Sequence, residues 1–125
     1  MVSHTPEQIR SVVLVGHGAV GKTSLAESLL AASGAIASRG SVEKGNTVCD
    51  FDPVEKQLGH SLQSSIVSLQ TAGVKVHLID TPGYPDFAGQ AISALAGADT
   101  ALIVISAQTG IELSTERMFT QAGER

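Results

Sequence analysis

One short stretch restricts the possible folds of this chain more than any other. The apolar, β-branched run Val12-Val13-Leu14-Val15 leads directly into Gly16-His17-Gly18-Ala19-Val20-Gly21-Lys22-Thr23, which fits the pattern GxxxxGK[ST]. An unbroken apolar run suits a strand buried on both faces. Residues Lys22 to Ser33 then show helical spacing, with Leu25 and Leu29 on one face, Ala26 and Leu30 beside them, and Ser33-Gly34 as a stop. Strand, glycine-rich loop and helix in this order form a phosphate cradle. Glycine lets the backbone wrap closely with its N–H groups inward, and the helix adds its positive N-terminal end. The candidate nucleotide-binding residues are therefore His17, Gly18, Ala19, Val20, Gly21, Lys22, Thr23 and Ser24. Lys22 is expected to reach the β- and γ-phosphates, and the Thr23 hydroxyl to ligate Mg²⁺. His17 fills a variable position of the pattern, and its side chain is expected to point away from phosphate.

The remaining chain alternates strand and helix signals. Thr5-Pro6-Glu7-Gln8 reads as a capping box and a short helical turn. From about Ala35 to Gly59 the periodicity fails, which predicts a mobile functional loop. Asp50, Asp52 and Glu55 within it read as solvated charges, and Cys49 as a spare thiol in a loop. Ser65 to Leu69 and Val74 to Ile79 flank a turn and predict an antiparallel hairpin. Phe87 to Ala98 has helical spacing through Phe87, Ala91, Leu95 and Ala98. Ala101 to Ile105 reads as another buried strand, and Leu113 to Ala122 as a helix with Met118, Phe119 and Ala122 on one side. The expected fold is α/β: an incomplete P-loop NTPase G domain, with a mostly parallel sheet, one antiparallel edge strand and helices on both faces. Residues 1–10 form a lead-in, and residues 11–125 the N-terminal portion of the domain.

Asp80-Thr81-Pro82-Gly83 ends the strand after Val76-His77-Leu78-Ile79. A carboxylate there supplies the second anionic anchor that a P-loop site needs for its metal, and Gly83 can offer its N–H to the γ-phosphate. Together, Gly16 to Ser24 and Asp80-Thr81-Pro82-Gly83-Tyr84-Pro85-Asp86-Phe87 resemble the G domain of translational GTPases, in particular elongation factor G and the elongation-factor-G-like proteins. Asp50 to Ser61 is similar in length and charge to the first switch of that family. Ala107 to Glu112 with Thr115-Glu116-Arg117 resembles the segment after its fourth strand. The resemblance implies GTP or GDP with Mg²⁺ as ligands, and a ribosome reached through the full-length protein.

Three departures from the family pattern bear on function. Tyr84 stands where elongation factor G has the histidine that positions the attacking water. A phenol cannot act as an imidazole does at neutral pH, so slow hydrolysis is expected. Leu58-Gly59-His60-Ser61 stands in place of Arg-Gly-Ile-Thr, leaving Ser61 as the hydroxyl for Mg²⁺ beside Thr23 and Asp80, with Ser64 and Ser65 as fallbacks. The guanine-reading Asn-Lys-x-Asp would lie beyond Arg125, so the chain is expected to be the N-terminal part of a longer protein. Lys22 and Tyr84 are the candidate catalytic residues. Two other readings stay open: a GTP-sensing binding module with little hydrolysis, and an unrelated P-loop ATPase.

The formal net charge of −4 argues against a broad basic face for DNA. The single Cys49 suits a reducing compartment, and no run approaches the roughly 18 apolar residues of a bilayer span. A cytoplasmic monomer without membrane contact is expected.

Overall fold

The computed structural model describes residues 3–124. Pro6–Gln8 forms a short 3-10 turn in which the Thr5 N–H donates to Gln8 Oε1 at 3.1 Å. Strand β1 (Ile9–Val15) follows directly, then helix α1 (Lys22–Ala32), helix α2 (Pro53–Leu58), strand β2 (Ser65–Thr71), strand β3 (Val74–Asp80), helix α3 (Ala88–Ala96), strand β4 (Thr100–Ile103) and helix α4 (Leu113–Gly123). The sheet order is β2-β3-β1-β4. β1 runs parallel to β3 and β4, while β2 and β3 are antiparallel. Ala72 and Gly73 close the hairpin with φ of 48° and 76°. This paired left-handed geometry matches the right-handed twist of the flanking strands.

Alternate residues of β1 feed two cores. Val13 and Val15 pack with Ile79 against Ala91 and Leu95 of α3 and Met118 of α4. Leu14 packs with Leu78 against Ala26 of α1, with Cys49 beneath the long loop. The period-2 alternation of a strand thus places helices on both faces of the sheet. Cys49 is buried there rather than spare in a loop, and desolvation pushes its thiol up to about 12.

Four further sequence expectations change. On α1 the buried stripe is Ala26 and Leu30, while Leu29 is exposed, because the helix seats on β3 through its small residue. On α4, Met118 is buried but Phe119 is 70% exposed. The strand expected to be buried, Ala101 to Ile105, is the half-exposed β4. Among the described residues it pairs with β1 alone, and Leu102 is left 41% exposed. Within the loop read as structureless, Asp52 caps α2 by accepting from the Val54 N–H at 2.7 Å, with Pro53 in the first turn.

Parallel pairing positions the site. Leu14 lies in register with Asp80, so β1 and β3 release the Gly16 loop and the Asp80–Gly83 segment side by side at one edge of the sheet. Ligands bind outside the carboxyl ends of strands in open α/β sheets.

Candidate functional site

The loop after β1 owes its shape to backbone that few residues tolerate. Gly16 has φ 150° and Gly21 φ 94°. A Cβ on Gly16 would overlap the Val104 carbonyl, so glycine is required for close approach there. Gly21 caps α1, and the Lys22 side chain, 5% exposed, curls back over the loop. Its Nζ donates to the carbonyls of Gly16 at 3.1 Å and His17 at 2.7 Å. Burial lowers this ammonium to about 8, against the opposing pull of Asp80. Gly83 presses against the same point, where a Cβ would overlap the Lys22 amine and the His17 carbonyl. The two motifs therefore close on one lysine.

Beside the lysine, three predicted metal-binding residues converge. Thr23 Oγ1 donates to Asp80 Oδ2 at 2.5 Å and lies 3.4 Å from Ser61 Oγ. Asp80 is 1% exposed, and its Oδ1 has no hydrogen-bond partner. Burial pushes this carboxyl up to about 6, although the Thr23 hydroxyl and Lys22 pull it down. A buried, unsatisfied carboxylate oxygen is costly unless a ligand completes it. Two hydroxyls and one carboxylate are hard oxygen donors of the type Mg²⁺ takes. Among the described residues no three His, Cys, Asp or Glu side chains come together to hold a metal ion.

Lys22, Thr23 and Ser61 border a cleft of about 320 Å³ lined also by Gly18, Ala19, Gly21, Ser24, Gly83 and Tyr84, among others, while Asp80, bonded to Thr23, is not itself part of the lining. Val20 and His17 do not line it. Val20 turns a methyl toward Gly16. The His17 ring lies against α4, with Nε2 2.9 Å from Glu112 Oε2 and Nδ1 2.6 Å from Ser114 Oγ. Ser64 and Ser65 also stay outside the cleft lining.

Tyr84 packs over the loop, its ring 3.2 Å from the Cβ position of Gly18. The ring also meets His60 at 4.5 Å between centroids, with planes tilted by 48°. His60 thus packs against the tyrosine, a pairing that no spacing in the sequence signals.

Two carboxylates read as solvated charges are buried instead. Asp50 is 4% exposed and accepts from Ser61 Oγ at 2.6 Å and Thr47 Oγ1 at 3.2 Å. Glu55 accepts from the N–H groups of Leu62 and Gln63 at 2.8 and 3.1 Å, folding the Gly59–Ser61 turn over the cleft. Glu27 was absent from the sequence reading. It is fully buried on α1 and accepts from the Gly40 and Val48 N–H groups at 3.0 and 2.5 Å. It pins the first half of the long loop. Thr47 aside, these partners lie 7 to 21 residues away along the chain, beyond the reach of a local sequence signal.

Comparison with known proteins places this arrangement. The sequence model described as elongation factor Tu GTP binding domain matches residues 7–125. The elongation factor G-like protein of Mycobacterium tuberculosis is 43% identical over 119 residues, covering 95% of this chain and 17% of that relative. The tetracycline resistance protein TetW of Butyrivibrio fibrisolvens is 43% identical over 112 residues, covering 90% and 18%. A protein of Thermus thermophilus solved by crystallography superposes with a TM-score of 0.90 at 43% identity, over 94% of this chain and 18% of that one. A bacterial selenocysteine-specific elongation factor shares the fold, with a TM-score of 0.72 at 22% identity, over 91% of this chain and 17% of its own. The chain thus spans less than a fifth of the length of these relatives.

Proposed function

Because the chain belongs to the elongation factor Tu GTP-binding domain family of translational GTPases, we propose that it binds GTP and GDP with Mg²⁺ in the cleft beside Lys22, as the N-terminal portion of a GTP-binding domain. The observation that carries this reading is the unsatisfied Oδ1 of Asp80, whose Oδ2 accepts from the Thr23 hydroxyl, itself 3.4 Å from Ser61 Oγ. The phosphate-loop amides and the Lys22 ammonium would hold the negative charge of the phosphates. Gly83 leaves room for its backbone to approach them. Thr23, Ser61 and Asp80 would hold Mg²⁺, which when bound neutralises charge on the phosphate oxygens. The segments 35–61 and 80–87 would respond to the γ-phosphate and relax on its loss. Calorimetry with GDP, GTP and ATP, with and without Mg²⁺, tests this. Guanine nucleotide binding that requires Lys22 is expected, and failure of both GTP and GDP to bind overturns it.

In this reading hydrolysis is slow, and the GTP-sensing alternative has support from one observation. Tyr84 is held between Gly18 and His60, so the position next to the cleft carries a phenol rather than an imidazole. Tyr84→His is expected to raise GTP turnover about tenfold or more. Turnover unchanged by that substitution would remove the basis for slow chemistry. The whole protein is proposed to work with the ribosome in the cytoplasm. GTP turnover measured with and without ribosomes, with Lys22→Ala as the blank, checks this: absence of stimulation favours the binding module.

A further inference from the structure

One residue of the phosphate loop makes polar contacts that phosphate binding does not use. The His17 ring spans from the loop to the start of α4, meeting Glu112 and Ser114 on its two nitrogens. Glu112 precedes α4, and its other oxygen accepts from Thr109 Oγ1 at 2.8 Å. Its own N–H donates to Thr115 Oγ1 at 3.3 Å. An ionised carboxylate only accepts, so Nε2 of His17 carries a proton and donates to Glu112. Nδ1 then accepts from the Ser114 hydroxyl in the neutral ring, or donates to it in the charged ring. A hydroxyl serves either way, so the chain Glu112–His17–Ser114 stays closed in both states.

The backbone of the same residue reaches the cleft. The His17 carbonyl accepts from Lys22 Nζ at 2.7 Å and stands against Gly83. A rotation of the His17 peptide would therefore move the acceptor that aims the lysine. We propose that Glu112 and Ser114 are positioning residues for the phosphate loop: by fixing the His17 ring they fix its carbonyl, and through it the Lys22 amine, so that nucleotide affinity depends on how α4 is seated. Neither residue touches the cleft, and both act through His17. The inference rests on the nucleotide-binding reading above.

The test is the release rate of a fluorescent GDP analogue from the chain, in Mg²⁺ and in chelator, together with the melting temperature without nucleotide. Glu112→Ala is expected to speed release about fivefold in both conditions, the upper range for a partly exposed ion pair. Glu112→Gln keeps an acceptor for Nε2–H and should stay within about twofold of the parent. A residue that merely docks α4 would lower the melting temperature without this rescue. Ser114→Ala removes one hydroxyl, is safe for folding, and should speed release about twofold. Release at the parent rate in both Glu112→Ala and Ser114→Ala, or equal effects of Ala and Gln at position 112, overturns the proposal. A parent chain that retains no guanine nucleotide overturns the underlying reading, and the positioning role with it.

Discussion

Glu27 and Asp80 are both carboxylates sealed from solvent on the α1 side of the sheet, yet their surroundings differ in kind. Both Glu27 oxygens are taken by backbone N–H groups of one loop. Asp80 has one oxygen on Thr23 and one with no partner. A buried carboxylate with its acceptors filled by backbone is a fastener, and changing it disturbs the fold. One left half-satisfied beside hydroxyls and an ammonium is a receptor, and changing it disturbs binding. The difference also divides the long loop: Glu27 secures residues 40–48, while the turn at 59–61 reaches the cleft through Ser61.

Substitutions can break or sharpen that contrast. The largest expected effect is that of Lys22→Ala, which should take triphosphate binding below detection by calorimetry; unchanged affinity would mean that the loop does not hold phosphate. Next, Glu27→Ala should cost about 3 kcal/mol in urea unfolding, because two N–H groups lose a charged acceptor. Asp80→Asn should do the reverse, weakening Mg²⁺-dependent binding about tenfold while leaving the unfolding midpoint unchanged or raised, since a desolvated charge is removed. If both substitutions destabilised the chain equally, the distinction between fastener and receptor would collapse. The smallest effect belongs to Thr23→Ala, a severalfold loss of affinity confined to Mg²⁺; an equal loss in chelator would show that the hydroxyl serves the fold.

What the amino-acid order made legible was local. The Gly16–Thr23 loop, the hairpin around Ala72-Gly73 and the placement of Asp80 at a strand end follow from spacing and turn chemistry within a few residues. Helix α2 did carry such a signal, Asp52-Pro53 with Glu55, but six residues are too few to show a period. The remaining features are products of distance. Glu27 meets partners 13 and 21 residues away, and His17 meets Ser114 across 97. An apolar run such as Ala101 to Ile105 specifies a strand without saying whether it lies at the centre or the edge of a sheet. Only the pairing order, with β1 on one side of β4, decides that it lies at the edge, and only what packs on the face decides that Leu102 meets water.

That outer side of β4 has a consequence for handling the chain in solution. Its ladder of N–H and C=O groups faces outward between exposed Leu102 and Ile105, with the uncovered side chains of Ile111, Leu113 and Phe119 on the segment that follows. A strand edge of this composition is a template for a fifth strand from another molecule. At high concentration, self-association of the chain is expected to grow from this margin.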